Sequence, residues 1–438
     1  MLYNVRTIPT EVQVALETVF SMDASSIKFG KGATSEVGSD MKALGAKRVM
    51  VVTDPNLVTS EPVAIALDSL KKEGIDTALF DRVRVEPNDL SFKEAIAFAV
   101  EGGFDGYVAV GGGSTMDTAK AANLYATYPA DFLDYVNAPI GKAKPVPGDL
   151  KPLIAIPTTA GTGSETTGVA IFDLSEMHAK TGIAHRALRP RLGIVDPENT
   201  RTLPKTAVAC TALDVFSHAI ESLTALPFYK REAPESPKMR PAYQGANPIS
   251  NIWAARALEI GSKYMIQAVN DPGDEEARTQ MILASTIAGV GFGSAGVTLP
   301  HGMSYPISGL VRDYRPDGYP QDHALVPHGM AVILGAPAAF RFMAPGNPDM
   351  FLRAAELIGV DTRGAGPGDA GEIVAQAVIG IMQKAGIPNG LRAVGYTPDD
   401  VDALVEGVLP QQRVTKLSPR PAKAEDFRRL FLDSMTIW

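Results

Sequence analysis

The chain changes texture at Asp196-Pro197, and that break restricts its fold more than any other feature. Ahead of it, short apolar runs recur: K-R-V-M-V-V-T-D at 47–54, T-A-L-F at 77–80, D-G-Y-V-A-V at 105–110, P-L-I-A-I-P at 152–157, V-A-I-F-D at 169–173 and L-G-I-V-D-P at 192–197. Continuous apolar runs bounded by turn residues read as strands of a parallel sheet buried on both faces. Helical stretches around 34–44, 60–72 and 90–101 separate the early runs at the interval of βα units. Beyond the break, helix-periodic segments take over at 205–224, 249–270, 274–292, 326–343, 349–358, 371–385, 398–406 and 424–436. The prediction is an α/β domain over residues 1–200 followed by an all-helical domain over 201–438. At 438 residues the chain also exceeds the size at which one core stops growing.

Composition excludes several classes. Apolar residues make up 45% and charged residues 21%, an ordinary globular balance. A net charge of −8, with no basic blocks, argues against nucleic acid as a partner. Cys210 is the single cysteine, so no internal disulfide forms, and a reducing compartment is expected. Its position suits a small core residue better than a nucleophile. The opening residues M-L-Y-N-V-R-T-I-P-T lack the basic and apolar regions of a secretory signal. The expected location is therefore the cytoplasm, or the mitochondrial matrix in a eukaryote. Met281 to Pro300 is uncharged over about a bilayer's length, but its Gly, Ala, Ser and Thr content reads as an internal helix ending near Gly291–Gly296. No membrane partner is expected.

The chemistry concentrates in Thr211 to Ser222, T-A-L-D-V-F-S-H-A-I-E-S. Asp214 and His218 stand four residues apart, on one face of a helix whose other residues are largely apolar. A satisfied Asp–His pair in a helix core is one reading. His301 in H-G-M-S-Y-P and His328 in P-H-G-M-A-V supply the other, because one carboxylate and three imidazoles form a divalent transition-metal set. Spacing does not join them, since they come from three segments.

The strand at 105–110 runs into G-G-G-S-T-M-D-T-A-K-A-A (111–122). Three glycines allow a close backbone approach, and Ser114 with Asp117 fits a capping box that opens the next helix. Free N–H groups there suit a pyrophosphate, with a tight turn that holds no ligand as the alternative. A second turn, T-T-A-G-T-G-S-E-T-T (158–167), suits a ribose or phosphate. Lys180 is either a cation for a phosphate or substrate oxygen or a plain surface lysine. Phe228 to Pro248 and Asp313 to Asp322 read as irregular insertions, the latter placed to border a site. His178, His185 and His323 read as surface or lid residues.

Taken together, the G-G-G-S-x-x-D, T-T-A-G-T-G-S-E, D-x-x-x-H, H-G-M-S-Y-P and P-H-G segments resemble the iron-containing, group III alcohol dehydrogenase family over nearly the whole chain. The resemblance implies that family's dehydroquinate synthase-like architecture, a nucleotide-binding α/β domain followed by a helical one, with NAD(P) and a divalent metal between them. Carried over by position, it implies metal ligands at Asp214, His218, His301 and His328. It implies dinucleotide contacts at Asp54, Gly112, Gly113, Ser114, Asp117, Thr158, Thr159 and Thr162, with Lys180 nearby. An aspartate after the first strand accepts from ribose hydroxyls and favours NAD over NADP. Fe2+ and Zn2+ both suit the ligand set.

One position departs from the common pattern. Where family members often carry a histidine four residues after the third ligand, this chain has Tyr305. That substitution, the long His301–His328 spacing and the ending V-G-Y-T-P-D-D … L-P-Q-Q-R-V-T-K-L-S-P-R-P resemble the hydroxyacid-oxoacid transhydrogenase branch. The branch implies hydride transfer from 4-hydroxybutyrate to 2-oxoglutarate through bound NAD, with catalytic roles for the four ligands and Tyr305. Arg312 and Arg315, on the insertion between ligands, are the candidate substrate-carboxylate anchors. The alternative is a metal-containing alcohol or hydroxyacid dehydrogenase that exchanges free NAD. Oligomeric state stays open, with a homodimer as the candidate.

Overall fold

The structure, a computed structural model, describes residues 15–177 and 179–438. The first part of the lead-in (1–14) and His178 lie outside them. Eight strands occur among the described residues: β1 (Ser26–Phe29), β2 (Arg48–Val52), β3 (Asp76–Phe80), β4 (Gly106–Gly111), β5 (Leu153–Pro157), β6 (Val169–Leu174), β7 (Ala179–Ala184) and β8 (Leu192–Val195). Six pair in the order β1-β8-β5-β4-β2-β3, every pairing parallel, while β6 and β7 form an antiparallel pair. Register places Val51 of β2 between Leu79 and Val108.

Alternation of side chains decides which helices cover which face. Val49, Val51, Val108, Val110, Ile154 and Ile156 face one way, against α1 (Val37–Ala43) and α2 (Glu61–Lys72). Met50, Val52, Tyr107, Ala109, Leu153 and Ala155 face the other, against α3 (Asp89–Gly102) and α4 (Gly113–Thr127). Both faces are dry, which is why these strands read as continuous apolar runs. A short α5 (Phe132–Tyr135) follows α4.

After β8 the chain is helical: α6 (Lys205–Thr224), α7 (Pro248–Asn270), α8 (Glu275–Ala295), α9 (Leu299–Gly309), α10 (His328–Met343), α11 (Pro348–Leu357), α12 (Ala370–Ala385), α13 (Val401–Val408), α14 (Gln412–Thr415) and α15 (Ala424–Asp433). The starts follow local chemistry. Asn247 caps α7 by accepting from Ser250 N, with Pro248 at the first helical position, and Asp274 caps α8 by accepting from Ala277 N. Helix α6 is sheathed by its neighbours and buries Leu213, Val215, Phe216, Ala219, Ile220 and Leu223.

Three elements differ from the periodicity. Strand β1 is a largely exposed edge, recognisable only from its pairing with β8. Strand β7, A-K-T-G-I-A, has little intrinsic strand preference and is held by β6. Helix α9 carries Pro300 and Pro306, which mask it in the sequence. It follows α8 after a 104° bend at the break containing Gly296, so the uncharged stretch 281–300 is not one straight helix. His328–Gly346 is long and apolar enough to cross a bilayer by composition, yet 78% of its apolar window is buried inside the protein.

Candidate active site

Helix α6 carries Asp214 and His218, α9 carries His301, and α10 opens with His328. Asp214 Oδ1 lies 3.7 Å from His218 Nε2, 3.5 Å from His301 Nε2 and 3.9 Å from His328 Nε2. Tetrahedral bonds of about 2.1 Å would put ligand atoms roughly 3.4 Å apart, so small inward shifts bring these four atoms onto one ion. Asp214 Oδ1 and His301 Nε2 are buried with no hydrogen-bond partner, a costly state that a shared cation relieves. The donor set therefore fits a divalent metal.

Electrostatics points the same way for His218 and Asp214, whereas at His301 burial is overcome by Glu221 and Asp214, which raise it to about 9, so an ion would have to displace its Nε2 proton. Burial drives His218 down to about 3, keeping its imidazole neutral as a ligand must be. For Asp214 burial opposes ionisation, but His218, His328 and His301 outweigh it and hold the carboxyl at about 2. The His218 ring stacks on Phe292 at 3.9 Å, which fixes its plane.

The close meeting of α10 with α6 explains the glycine after His328. A Cβ on Gly329 would stand 2.1 Å from Cys210 O and 2.9 Å from Asp214 Cβ. Cys210 itself is buried, its thiol pushed up to about 12 by burial, as befits a packing residue.

A cavity of about 630 Å³ runs from these ligands to the glycine turn. Asp54, Gly112, Gly113, Ser114, Asp117, Thr158, Thr159 and Thr162 all line it. The two turns pack face to face, since a Cβ on Gly112 would meet Thr159 Cγ2 at 3.2 Å and one on Gly113 would meet Thr162 Cγ2 at 2.7 Å. The expected capping box is absent. Gly112 is the cap of α4 and no side chain caps it. Ser114 instead accepts from Glu86 N at 3.1 Å, and Asp117 accepts from Ser164 Oγ at 2.7 Å and Ile171 N at 2.9 Å. The helix start is thereby left open toward the cavity, a cradle for a pyrophosphate.

Lys180 is not a free cation. It is buried, 2.8 Å from Glu86 Oε2 and 3.1 Å from Asp173 Oδ1, and it does not line the cavity. Burial works against its charge, but Asp173 and Glu86 overcome this and raise its pKa. Two carboxylates use the charge that a phosphate would need. Arg312 and Arg315 also depart from expectation. Gly318, Tyr319 and Pro320 of the insertion do border the cavity, but neither arginine does. Arg312 reaches outward to Asp400 at 2.6 Å and to the Gly395 carbonyl, and exposed Arg315 donates to Asp313 O. Both have local acceptors on the surface, so nothing draws them inward. His185 and His323 stay off the cavity wall, half-buried and paired with Ala187 N and Asp322 respectively.

The sequence reading overlooked three groups. Glu221 accepts from His301 Nδ1 at 2.5 Å and from Thr298 N at 2.6 Å, holding the third imidazole from behind. Its signal was available: Asp214, His218 and Glu221 stand at i, i+4 and i+7 of one apolar helix. Glu86, at φ 54°, accepts from His328 N and Lys180 Nζ and donates its own N–H to Ser114, tying both halves of the site together. No pattern marks it. Arg413, in α14, reaches the cavity and donates to Tyr305 Oη at 2.8 Å. It stands in the L-P-Q-Q-R stretch, where residue type alone assigns it no role.

Residues 24–197 match the family "Iron-containing alcohol dehydrogenase", and residues 242–435 match "Fe-containing alcohol dehydrogenase family, C-terminal". A relative named "Hydroxyacid-oxoacid transhydrogenase, mitochondrial" from Bos taurus is 54% identical over 421 residues, covering 96% of this chain and 90% of its own. Among solved structures, a 1,3-propanediol oxidoreductase superposes with a TM-score of 0.83 at 27% identity, covering 95% of this chain and 100% of its own. A sulfoacetaldehyde reductase from Bifidobacterium kashiwanohense, solved with NAD+, gives 0.77 at 26% identity, covering 96% and 100%. With the ligand cluster and glycine turn in place, these likenesses leave one conclusion: the chain belongs to the iron-containing alcohol dehydrogenase family, in its hydroxyacid-oxoacid transhydrogenase branch.

Proposed function

We propose that the protein is a hydroxyacid-oxoacid transhydrogenase, moving a hydride from 4-hydroxybutyrate to 2-oxoglutarate through bound NAD and a divalent metal. The observation that carries this reading is the single cavity joining the four-ligand cluster to the open start of α4. The substrate pair rests on the branch, since the Bos taurus relative bears that name at 54% identity.

Asp214, His218, His301 and His328 would hold the ion, and the Gly112–Gly113 turn with the N–H groups of α4 would hold the pyrophosphate. When bound, the ion supplies Lewis acidity to the substrate oxygen and the nicotinamide stores the hydride between two substrates. Glu221 keeps the Nδ1 proton on His301, so Nε2 is the nitrogen that would ligate, giving up its own proton to the ion. Asp54, buried at the cavity wall after β2, would accept from ribose hydroxyls. Phe292 and Val297 form an apolar stretch of wall that excludes water beside the cluster. Tyr305 Oη accepts from Arg413, which leaves its own proton to donate into the cavity. In net balance the hydroxyacid loses a hydride from its carbinol carbon and a hydroxyl proton, becoming succinate semialdehyde. The oxoacid gains both at its carbonyl and becomes 2-hydroxyglutarate.

The test mixes the two acids with holoenzyme, omits free NAD and follows both products by mass. Equal amounts of semialdehyde and 2-hydroxyglutarate are expected. Turnover that needs free NAD and no oxoacid would instead make the protein a dehydrogenase with cofactor exchange. Metal analysis of the purified protein distinguishes iron from zinc, and light scattering tests a homodimer. The compartment proposed is the mitochondrial matrix in a eukaryotic source and the cytoplasm otherwise; the Bos taurus relative is named as mitochondrial.

A further inference from the structure

We propose that Arg413 is the carboxylate anchor of this active site, binding the charge that hydroxyacid and oxoacid substrates share. The proposal rests on the functional reading above and names the residue that would select those substrates.

Among the described residues lining the cavity, Arg413 is the one lysine or arginine. The other charged side chains there have partners or belong to the metal set. Glu86 is paired with Lys180, Asp214 faces three histidines, Asp117 is bound by Ser164 and Ile171 N, and Asp54 accepts from Asn56 N. A dicarboxylate entering between four acidic groups needs a compensating cation, and one is offered.

Arg413 forms no ion pair among the described residues. Its neighbours are the Tyr305 hydroxyl, at 2.8 Å from Nη2, and the Tyr243 ring, whose centroid lies 4.8 Å from the guanidinium carbon. Nη1 is buried with no hydrogen-bond partner. Arg413 as a whole is half-buried, but a guanidinium nitrogen taken out of water without a partner is costly, and the planar fork matches a carboxylate at two points.

Its position belongs to the metal end of the cavity. Tyr305 stands four residues after His301 in α9, one turn away on the same face. A substrate carboxylate on Arg413 therefore leaves the opposite end of a short acid near the ligand cluster. The segment presenting Arg413 is also preorganised. Gln411 Nε2 donates to Lys180 O at 3.1 Å, while Val414 and Leu417 are buried with Tyr243, Phe292 and Val297. Tyr305 and Tyr243 orient the fork without neutralising it.

The test compares two four-carbon aldehydes that differ in a terminal carboxylate, succinate semialdehyde and butanal, each reduced in a single turnover by metal-loaded holoenzyme reconstituted with NADH, so that no cofactor exchange is needed. In Arg413→Met the half-saturating concentration of the semialdehyde is expected to rise about 30- to 4,000-fold, the range for stranding a buried charge-paired group. The effect on butanal is expected to be at least about tenfold smaller, with metal content unchanged. Arg413→Lys keeps the charge but not the fork and falls between, and it carries the comparison if the Met variant does not fold. Added guanidinium ion restores part of the semialdehyde activity of Arg413→Ala. Equal losses on both aldehydes would overturn the proposal, as would a wild-type enzyme that does not prefer the semialdehyde. Discrimination by Arg413 in an enzyme that fails the NAD-free exchange would uphold the anchor and reject the exchange reading. NAD-free exchange that survives Arg413→Met with unchanged KM would reject the anchor alone.

Discussion

His301 donates its Nδ1 proton to Glu221 Oε1 across 2.5 Å, and this turns Nε2 toward Asp214 Oδ1 at 3.5 Å. Glu221 comes from the same helix as Asp214 and His218, so α6 supplies two ligands and the support for a third. Partners behind a ligating imidazole are commonly worth 10- to 100-fold in metal affinity. Glu221→Gln is therefore expected to weaken the metal by about that factor with little change in Tm, measured by chelator competition. His218→Ala is expected to lose the ion and activity altogether while remaining folded. Full occupancy in that variant would remove His218 from the ligand set.

At the other end of the cavity the constraint is steric. A Cβ on Gly113 would already stand 2.7 Å from Thr162 Cγ2, and the branches of valine would fill the mouth of α4. Gly113→Val is expected to weaken NAD binding at least about tenfold while metal content stays near that of the parent. Unchanged affinity in a fluorescence titration would place the pyrophosphate elsewhere.

Gly329 couples packing to ligation. Its Cβ position coincides with the Cys210 carbonyl, 2.1 Å away, and backbone cannot step aside as a flexible side chain does. Gly329→Ala must push α10 off α6, carrying His328 with it. Overpacking of this kind costs about 1–3 kcal/mol. Urea unfolding is expected to register that loss, together with weaker metal binding, whereas Gly368→Ala, in open space on the surface, is expected to change neither.

Arg312 pairs with Asp400 on the surface, off the cavity wall. Its hydrogen bonds are the main cause holding the Asp400 carboxyl at about 2, below the ordinary 3.8. A carboxylate with a lowered folded pKa contributes stability above its unfolded value, and loses it as pH falls through the folded one. The contribution of the pair is thus present above pH 4 and gone near pH 2. Because Arg312 is more than half exposed, screening keeps the effect small. Arg312→Ala is expected to lower Tm by no more than about 3 °C at pH 7, with the difference closing between pH 4 and pH 2. Semialdehyde KM is expected to match the parent, since the side chain lies off the cavity wall.

The sheet and most of the helical half were legible because their signals are local. Buried parallel strands such as β4 and β5 must be apolar on both faces, and Asp214 with His218 must share a helix face at that spacing. The order of strands, the edge strand β1 and the proline-bearing α9 exist through partners far along the chain, so no window of sequence contains them. The same holds for charges. Residue type alone singled out Lys180, Arg312 and Arg315 as candidates for an anion and passed over Arg413. Only the folded chain sets Lys180 between Glu86 and Asp173, turns Arg312 out to Asp400, and leaves Arg413 in the cavity with two phenols and no carboxylate. A local pattern determines which groups are present and which face they share. Which cation stays uncompensated depends on distances between segments as much as 108 residues apart, and those distances belong to the tertiary structure.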